Sequence, residues 1–472
     1  MYDPRSKVAA EFIDDAEVLL TIEYAKEHKN DKKKIAEILE KAKQMGGISH
    51  REALVLLESD DEGVWEEIFA LARSIKERIY GKRIVMFAPL YLSNHCVNGC
   101  TYCPYHLKNE KIKRKKLSQE EIRREVIALQ DMGHKRLALE AGEHPEHSPI
   151  EYILESIKTI YSIRHKNGEI RRVNVNIAAT SVENYKKLHD AGIGTYILFQ
   201  ETYHRPTYEK LHPTGPKHNY AYHTEAMDRA MEAGIDDVGI GVLFGLYDYR
   251  YDFVGLLMHA EHLEETYGVG PHTISVPRIR PADDIDVNDF HDVIPDDLFK
   301  KIVALIRIVA PYAGIIISTR ESRRSREEVL EIGVSQISGG SSTSVGGYVE
   351  KEDEADSSAQ FDVDDTRTLD EIIHWLLTLG YVPSFCTACY REGRTGDRFM
   401  RLAKSGQIGN VCQPNSLMTL KEYLLDYASP DTKKRGEQVI LEEMQRIANA
   451  KVKEKAQEYI DQLEGGKRDF RF

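Results

Sequence analysis

Residues 84–106 read IVMFAPLYLSNHCVNGCTYCPYH, an apolar run that passes directly into a loop with three cysteines. Such an uninterrupted apolar run is typical of a strand buried on both faces, as in the parallel sheets of α/β proteins. Cys96, Cys100 and Cys103 follow it at the spacing CxxxCxxC. Because the active sites of parallel barrels form at the carboxyl ends of the strands, this loop predicts a site that binds metal through thiolates.

Seven further apolar runs follow, and segments with helical periodicity separate them. Eight strand–helix units over about 260 residues match the α/β class and, within it, a (β/α)8 TIM-type barrel. An open doubly wound sheet or a partial barrel is the alternative. The predicted strands cover residues 84–92, 136–142, 173–180, 195–202, 237–244, 272–279, 314–320 and 334–340.

The regions on either side of the barrel have a different character. Residues 1–80 carry apolar residues at helical spacing and predict an N-terminal helical extension. Residues 81–345 form the predicted barrel. Residues 346–472 combine a loop-rich segment with charged helices, and we expect a mostly helical C-terminal domain that holds a second group of cysteines.

The net charge of the 472-residue chain is −13, which argues against general binding of nucleic acids. No apolar run reaches the roughly 18 residues of a membrane span, and the first residues lack the basic-then-apolar order of a secretory signal. We therefore expect a cytoplasmic protein that does not bind membranes. The basic run 108–116 favours a solvated loop, with a docking patch for an acidic electron donor as the alternative.

All six cysteines lie in two tight groups, and the second consists of Cys386, Cys389 and Cys412. Disulfides are rare in large chains without an export signal, so clustered cysteines indicate metal. Three thiolates leave one iron of a 4Fe–4S cube open for another ligand. Zinc is the alternative, and His95 or His106 could complete a Cys3His set at the first group. The tail group has no histidine near it in the sequence, which weakens a structural zinc site there.

The CxxxCxxC spacing with an aromatic residue before the last cysteine resembles the signature of radical S-adenosylmethionine (SAM) enzymes. In that family the three cysteines hold a 4Fe–4S cluster, SAM chelates the open iron, and one electron cleaves SAM to a 5′-deoxyadenosyl radical. Segments at the ends of four predicted strands are similar to the SAM-binding segments of the family, although Ala141 stands where the family has glycine. The resemblance implies that SAM is bound by Tyr102, Ala141, Gly142, Glu143, Asn176, Glu201, Gly241 and Val242.

The segments QETY (200–203) and STRES (318–322) resemble the aromatic amino-acid lyase branch of radical SAM enzymes. An arginine at a barrel mouth binds carboxylates through its two-pronged geometry, and a salt bridge with Glu321 at the rim is the alternative for Arg320. The resemblance implies that Arg320 holds the carboxylate of L-tyrosine. The segment Ser341, Ser342 and Thr343 follows the eighth predicted strand, and we expect it to bind the polar groups of this substrate, chiefly through Ser341 and Ser342.

The tail separates two members of this branch, because the tyrosine lyase of thiamine biosynthesis has no second group of cysteines. A CxxC pair, a gap of 22 residues and a third cysteine are similar to the tail of the HydG family of FeFe-hydrogenase maturases. In that family tyrosine gives p-cresol and dehydroglycine, and dehydroglycine gives CO and cyanide for an Fe(CO)2(CN)–cysteine unit. The resemblance implies that Cys386, Cys389 and Cys412 hold a second 4Fe–4S cluster with an additional labile iron.

A second cluster at the carboxyl-end mouth of the barrel would crowd the radical site, so we expect the tail cluster at the opposite mouth. His272 lies at the start of the sixth predicted strand and would face that mouth, where it could bind iron. The resemblance implies an iron-ligating histidine in this segment, and a histidine bonded to backbone is the alternative. Polar residues at 174 and 176 alternate with apolar ones, and they would be costly in a dry core. We therefore predict a water-lined tunnel between the mouths.

The resemblance also implies the partners of the reaction. The small molecules would be SAM, L-tyrosine, cysteine and iron, and the electron donor would be reduced ferredoxin or flavodoxin, with the other hydrogenase maturases as protein partners. A tyrosine lyase (2-iminoacetate synthase) that serves thiamine biosynthesis and a non-catalytic iron–sulfur scaffold are the alternative functions. A scaffold accounts for the six cysteines but not for the AGE, QET and STRE segments.

Overall fold

The structure, a computed structural model, describes residues 1–45, 47–281, 285–350 and 358–472. Its strands are β1 (Arg83–Ser93), β2 (Arg136–Ala141), β3 (Arg164–His165), β4 (Gly168–Glu169), β5 (Arg172–Asn176), β6 (Tyr196–Glu201), β7 (Val238–Val242), β8 (Thr273–Ser275), β9 (Gly314–Ile317), β10 (Gln336–Ser338) and β11 (Val382–Ser384). Strands β3 and β4 form a separate antiparallel hairpin.

Eight parallel strands close into a barrel in the order β1, β2, β5, β6, β7, β8, β9, β10. Closure comes from β10, which pairs with β1 through Val85 opposite Gln336 and Phe87 opposite Ser338. The predicted (β/α)8 barrel is therefore confirmed, and the open sheet is excluded. Each predicted strand is present, but most are shorter than predicted, because their last residues turn into the loops that build the site.

Twenty helices surround and extend the barrel in the described ranges, together with two short 3₁₀ turns at Pro216–His218 and Val287–Asp289. Before the barrel come α1 (Ala9–Phe12), α2 (Asp15–His28), α3 (Lys32–Lys43), α4 (His50–Leu57) and α5 (Glu62–Tyr80). Within it lie α6 (Gln119–Met132), α7 (Ile150–Ser162), α8 (Val182–Asp190), α9 (Arg205–Leu211), α10 (Tyr220–Thr224), α11 (Ala226–Glu232), α12 (Tyr249–Tyr267), α13 (Asp296–Val309) and α14 (Arg323–Ile332). The tail contains α15 (Leu369–Thr378), α16 (Ala388–Arg391), α17 (Gly396–Lys404), α18 (Gly409–Asp426), α19 (Pro430–Gln445) and α20 (Ala450–Glu464).

Local sequence signals fix the ends of these helices. Helix α6 begins at a capping box, in which the Ser118 hydroxyl accepts the backbone N–H of Glu121 and the Glu121 carboxylate accepts the backbone N–H of Ser118. It ends at Gly133, which adopts a left-handed φ of 102°. Helix α15 begins at a second capping box, formed by Thr368 and Glu371.

The N-terminal helices pack on the barrel's outer helices rather than on the sheet. Helix α5 contacts α13 and α14, while α2 and α4 contact α12. The His50 ring joins the two layers, because Nδ1 lies 2.8 Å from a carboxylate oxygen of Glu261 and Nε2 lies 2.9 Å from one of Glu17. Burial acts against the charge on His50, but hydrogen bonds to the two carboxylates outweigh it and raise its pKa.

The tail is tied into the barrel sheet by β11, which pairs in parallel with the amino end of β1 from Arg83 opposite Val382 to Val85 opposite Ser384. The segment after β11 therefore begins at the amino-end mouth of the barrel. The domain boundary near residue 346 stays a prediction, because this pairing joins the two regions through one sheet. Among the described helices, none combines the length and the hydrophobicity needed to span a lipid bilayer.

Arg307 connects three segments next to the amino-end mouth. Its fully buried guanidinium donates hydrogen bonds to the carbonyls of Gly333 (2.7 Å), Pro311 (2.8 Å) and Ala313 (2.8 Å). Removal of the guanidinium would leave these buried carbonyls without donors. We expect Arg307→Ala to lower the free energy of unfolding by about 3 kcal/mol.

Denaturant unfolding under anaerobic conditions measures this change. Arg324→Ala is the matched control, because Arg324 is exposed and pairs with Glu328 on the same helix. That change should stay within about 0.5 kcal/mol. Equal effects of the two substitutions would contradict a structural role for the Arg307 guanidinium.

Candidate functional site

An upper cavity of about 170 Å³ lies at the carboxyl ends of the barrel strands. It brings together most of the residues predicted for this mouth, although they come from five distant parts of the chain. The residues of that prediction that line it are Cys96, Cys100, Cys103, Tyr102, Ala141, Gly142, Glu143, Asn176, Glu201 and Arg320. The first cysteine group and the predicted SAM-binding segments therefore share one cavity.

The cysteine loop is held against the end of β2 by its backbone. The N–H of Val97 donates to the carbonyl of Glu143 at 2.8 Å, and the N–H of Gly142 donates to the carbonyl of Ser93 at 2.9 Å. A Cβ on Gly142 would lie 2.4 Å from the backbone oxygen of His95, far inside van der Waals contact. This close approach explains why the middle residue of the AGE segment is glycine.

The two predicted SAM-binding carboxylates are anchored by residues that the sequence analysis did not single out. Asn98 donates from Nδ2 to a carboxylate oxygen of Glu143 at 2.6 Å. Lys217 donates from Nζ to a carboxylate oxygen of Glu201 at 2.7 Å, and its backbone N–H donates to Oδ1 of Asn98 at 3.0 Å. Glu201 adopts a left-handed φ of 70°, a strained conformation for a non-glycine residue. Asn98 lies inside the CxxxCxxC motif, and this position is the sequence feature that could have identified it as a site residue.

Burial and charge act in opposite directions on these groups. Burial raises the pKa of Glu143, and it raises the pKa of the Cys103 thiol to about 12. Burial also acts against the charge on Lys217, but Glu201 and the Cys100 thiol outweigh it and raise the pKa of this ammonium group. A buried cation therefore stands between a carboxylate and the cysteines, where it would favour thiolates as metal ligands.

Arg114 belongs to the basic run that was expected to be a solvated loop, and it has a structural role instead. Its guanidinium donates to the backbone carbonyls of Asn94 (2.6 Å), Tyr105 (2.9 Å) and His106 (2.7 Å). The side chain therefore clamps both ends of the cysteine loop. Lys108 in the same run is exposed.

Arg320 lines the upper cavity and does not form the salt bridge with Glu321 that was the alternative prediction. Glu321 instead accepts hydrogen bonds from Arg278 and, at 2.8 Å, from Arg280. The Arg320 guanidinium lies 4.0 Å from the centre of the Phe361 ring, and its buried Nε has no hydrogen-bond partner among the described residues. Burial lowers its pKa. A buried guanidinium with an unused donor is suited to bind an anionic group of a ligand.

Four predicted site residues lie elsewhere. Thr343, rather than Ser341 or Ser342, is among the described residues that line the middle cavity defined below. Ser342 accepts the N–H of Ser344 in a local turn, and the Ser341 hydroxyl is buried. Gly241 and Val242 are outside the described lining of the upper cavity, where the neighbouring Leu243 contributes. The predicted roles of Ser341, Ser342, Gly241 and Val242 stay predictions.

A middle cavity of about 110 Å³ continues from the upper one into the barrel. At their junction, Tyr91, Glu140 and Asn176 lie opposite one another on β1, β2 and β5. Burial raises the pKa of the Glu140 carboxyl well above its usual range, although a hydrogen bond with Asn176 and the charge of Arg320 oppose this. This carboxylic acid is adjacent to the AGE segment but was not predicted from the sequence.

A lower cavity of about 100 Å³ lies at the amino-end mouth and is bordered by the tail. Cys386, Cys389, Cys412 and His272 all line it, so the structure places the second cysteine group and the predicted histidine together. Arg136 at the start of β2 donates from Nη2 to the carbonyl of Cys386 at 2.9 Å. Burial raises the pKa of the Cys386 thiol to about 11.

On β9 and β10, Gly314 and Gln336 line the lower cavity, and Ile316 and Ser338, two residues further along each strand, line the middle one. A Cβ on Gly239 would lie 2.4 Å from Oγ1 of Thr273, and a Cβ on Gly314 would lie 2.3 Å from Nε2 of Gln336. The interior of a (β/α)8 barrel usually consists of branched apolar side chains. The glycines, threonine and glutamine named here depart from that pattern. The two cavities share no lining residue, so the predicted tunnel stays a prediction.

The donor sets of both mouths fit iron–sulfur clusters. Each has three cysteine thiols on a cavity, and thiolates are the ligands that such clusters use. Within the four described ranges, no group of three or more His, Cys, Asp or Glu side chains is arranged to hold a single metal ion. A cube binds each thiolate through a different iron, so it requires a wider arrangement than a zinc ion does.

Comparisons with known proteins agree with this geometry. The family model described as the radical SAM superfamily matches residues 90–257, and that of the biotin and thiamin synthesis associated domain matches residues 275–382. The 2-iminoacetate synthase of Salmonella typhimurium is 30% identical over 74% of this chain and 90% of that protein. A crystal structure of HydG, a maturase of the FeFe-hydrogenase, is 58% identical over 98% of this chain and 100% of that chain, with a TM-score of 0.95. HydG from Carboxydothermus hydrogenoformans is 41% identical over 96% and 100%, with a TM-score of 0.83. The chain belongs to the radical SAM superfamily and, within it, to the HydG family of FeFe-hydrogenase maturases.

Proposed function

We propose that this chain cleaves the Cα–Cβ bond of L-tyrosine at the upper cavity and converts the two-carbon fragment to CO and cyanide at the lower cavity. The products would be p-cresol and an Fe(CO)2(CN) unit for assembly of the hydrogenase cofactor. The observation that carries the proposal is the position of two cysteine triads at opposite mouths of one barrel. The close match to HydG structures supports it.

The upper cavity has the groups that this cleavage requires. A 4Fe–4S cluster on Cys96, Cys100 and Cys103, with SAM bound, supplies a 5′-deoxyadenosyl radical. Glu143 and Glu201, fixed by their hydrogen-bond partners, would orient SAM. Arg320 would bind the tyrosine carboxylate and turn the amine toward the radical, so that one hydrogen among many is taken.

The lower cavity would hold a second 4Fe–4S cluster on the three tail cysteines and an additional labile iron at His272. The fragment that leaves tyrosine is small and polar, and Thr273, Gly314 and Gln336 place glycine and polar side chains on the strands that run from the lower to the middle cavity. We infer that the fragment crosses this region through a tunnel that opens along Thr273 and Gln336. Cysteine and iron would enter at the lower mouth.

The protein partners follow from the reaction. Reduced ferredoxin or flavodoxin would supply the electron at the upper cavity, and the other hydrogenase maturases would receive the iron unit. A cytoplasmic location would suit both. Membership of the HydG family is the support for these proposed partners.

Arg320→Lys tests the binding of the substrate carboxylate. Lysine keeps the charge but loses the two-pronged geometry, so we expect the KM for tyrosine in p-cresol formation to rise about 10- to 100-fold. Tyramine lacks the carboxylate, and its affinity as a competitive ligand should not change. Equal weakening of tyramine and tyrosine would instead show that the guanidinium maintains the shape of the cavity.

Cys386→Ser tests the division of labour between the two mouths. We expect one of two clusters to be lost, with p-cresol formation largely kept and release of CO and cyanide abolished. Iron and sulfide analysis, p-cresol chromatography and trapping of CO by haemoglobin measure the three outcomes. Cys100→Ser is the matched control and should abolish all products.

Other outcomes of that experiment would contradict the proposal. Loss of p-cresol together with CO in Cys386→Ser would show that the tail group serves the first reaction. Release of p-cresol without CO or cyanide by the unaltered protein would favour the 2-iminoacetate synthase reaction alone. Absence of 5′-deoxyadenosine with SAM, reductant and tyrosine would favour a scaffold.

A further inference from the structure

The backbone of His272 is fixed between two strands at the lower cavity. Its N–H donates to the carbonyl of Val238 at 2.8 Å, and its carbonyl accepts the N–H of Gly314 at 2.8 Å. The side chain is 14% exposed and packs against the ring of Phe399, with 5.1 Å between the ring centres. The imidazole therefore has little freedom except rotation about its own bonds.

The two ring nitrogens of His272 face different groups. Nδ1 lies 3.5 Å from Oδ1 of Asp237, and Nε2 lies 3.3 Å from the hydroxyl of Tyr390, which neighbours Cys389. Asp237 is buried, and its second oxygen, Oδ2, has no hydrogen-bond partner among the described residues. One nitrogen thus faces a carboxylate inside the barrel wall, while the other faces the tail.

A carboxylate can only accept a hydrogen bond, so the imidazole nitrogen that faces it carries the hydrogen. The other nitrogen then keeps its lone pair, which is the form that binds metals. The separation of 3.5 Å is that of a weak contact. A cation on Nε2 makes Nδ1–H a stronger donor, which draws the carboxylate and the ring together.

We propose that Asp237 is a positioning residue that holds His272 in the Nδ1–H tautomer, so that Nε2 presents its lone pair to an iron ion delivered as cargo to the lower cavity. This inference rests on the proposed function, in which the tail cysteines hold a cluster with a labile iron beside it. It assigns a role to a buried acid that the radical reaction does not use.

Tyr390 is the group that the iron would displace from Nε2 of His272. Its hydroxyl also lies 3.0 Å from Oγ1 of Thr195, so it keeps a partner when it releases Nε2. Its ring lies 4.2 Å from the guanidinium of Arg172, which holds it in place from the barrel side. Tyr390 therefore provides Nε2 with a hydrogen-bond partner when iron is absent. Because its hydroxyl keeps Thr195 as a partner, separation of Tyr390 from Nε2 requires little free energy.

A purely structural role for Asp237 is the competing explanation. Oδ1 of Asp237 accepts the backbone N–H of Gly396 at 3.2 Å, which docks the tail loop on the start of β7. The neighbouring Asp236 docks the same loop, because its carboxylate accepts the Thr395 hydroxyl at 2.9 Å. Among the described residues, Asp236 interacts with His272 through its charge but makes no hydrogen bond or ion pair with it, so Asp236→Asn is the matched control for loss of a nearby carboxylate.

Asp237→Asn separates the two explanations. The amide oxygen can still accept the Gly396 N–H, but an amide that donates to Nδ1 also stabilises the wrong tautomer of His272. The reconstituted holoenzyme is titrated with ⁵⁷Fe(II) against a chelator, and Mössbauer spectra separate the labile iron from the two cubes. We expect Asp237→Asn to weaken the labile iron about 10- to 100-fold, with both cubes and p-cresol formation retained.

Three further variants complete the test. Asp236→Asn should change the affinity for the labile iron less than twofold. His272→Ala should weaken binding of the labile iron more than Asp237→Asn does, and addition of Asp237→Asn to it should weaken binding no further, because the carboxylate acts through the ring. Wild-type affinity in Asp237→Asn, or an additive loss in the double variant, would overturn the inference alone. Absence of labile iron from the unaltered holoenzyme would overturn the proposed function together with it.

Discussion

Strand β1 is the element on which both sites depend, because it is paired along its whole length. Its eleven residues span about 33 Å at the rise of a parallel strand. The carboxyl half pairs with β2 and leads into the first cysteine loop, and the amino end pairs with β11, which leads into the second group. Since β10 closes the barrel on the opposite edge, neither end of β1 can shift without breaking a ladder. The separation between the two cysteine groups is therefore a property of the sheet.

Buried charges then set the details at each mouth. At the upper cavity Lys217 is placed between Glu201 and the cysteines, and at the lower cavity Asp237 faces His272. Buried ion pairs and carboxylate–imidazole contacts contribute little net stability, because desolvation offsets their attraction, but a buried charge without a partner is costly. Each of these contacts therefore disfavours structures in which its two groups are separated. These charges therefore fix the geometry of the sites more than they stabilise the barrel.

The barrel and both cysteine groups could be predicted from the sequence, because hydrophobic periodicity and thiol spacing are local signals. Strand β11 was missed, since its three residues include a proline and carry no periodic signal. Glu140 was read as part of an apolar run, and only the register of three strands shows that it lies between Tyr91 and Asn176. Of the predicted segment Ser341, Ser342 and Thr343, Thr343 is the residue that lines the middle cavity, and the sequence could not show which, because the direction of a side chain in a loop depends on distant contacts. Partners that are far apart in sequence were the ones that could not be predicted.

The interior of the barrel gives a physical reason for two sites on one chain. In the proposed function the aromatic product and the two-carbon fragment arise at the same point, and only the fragment is needed at the lower mouth. Thr273 and Gln336 leave no room for a Cβ at the facing glycines, so we expect that a phenol ring would pass here only with displacement of the strands. A small polar fragment needs only side-chain rotations and can exchange hydrogen bonds with the buried Thr273 hydroxyl, which has no partner among the described residues. The same region would therefore return p-cresol through the upper mouth and keep the reactive fragment away from bulk water.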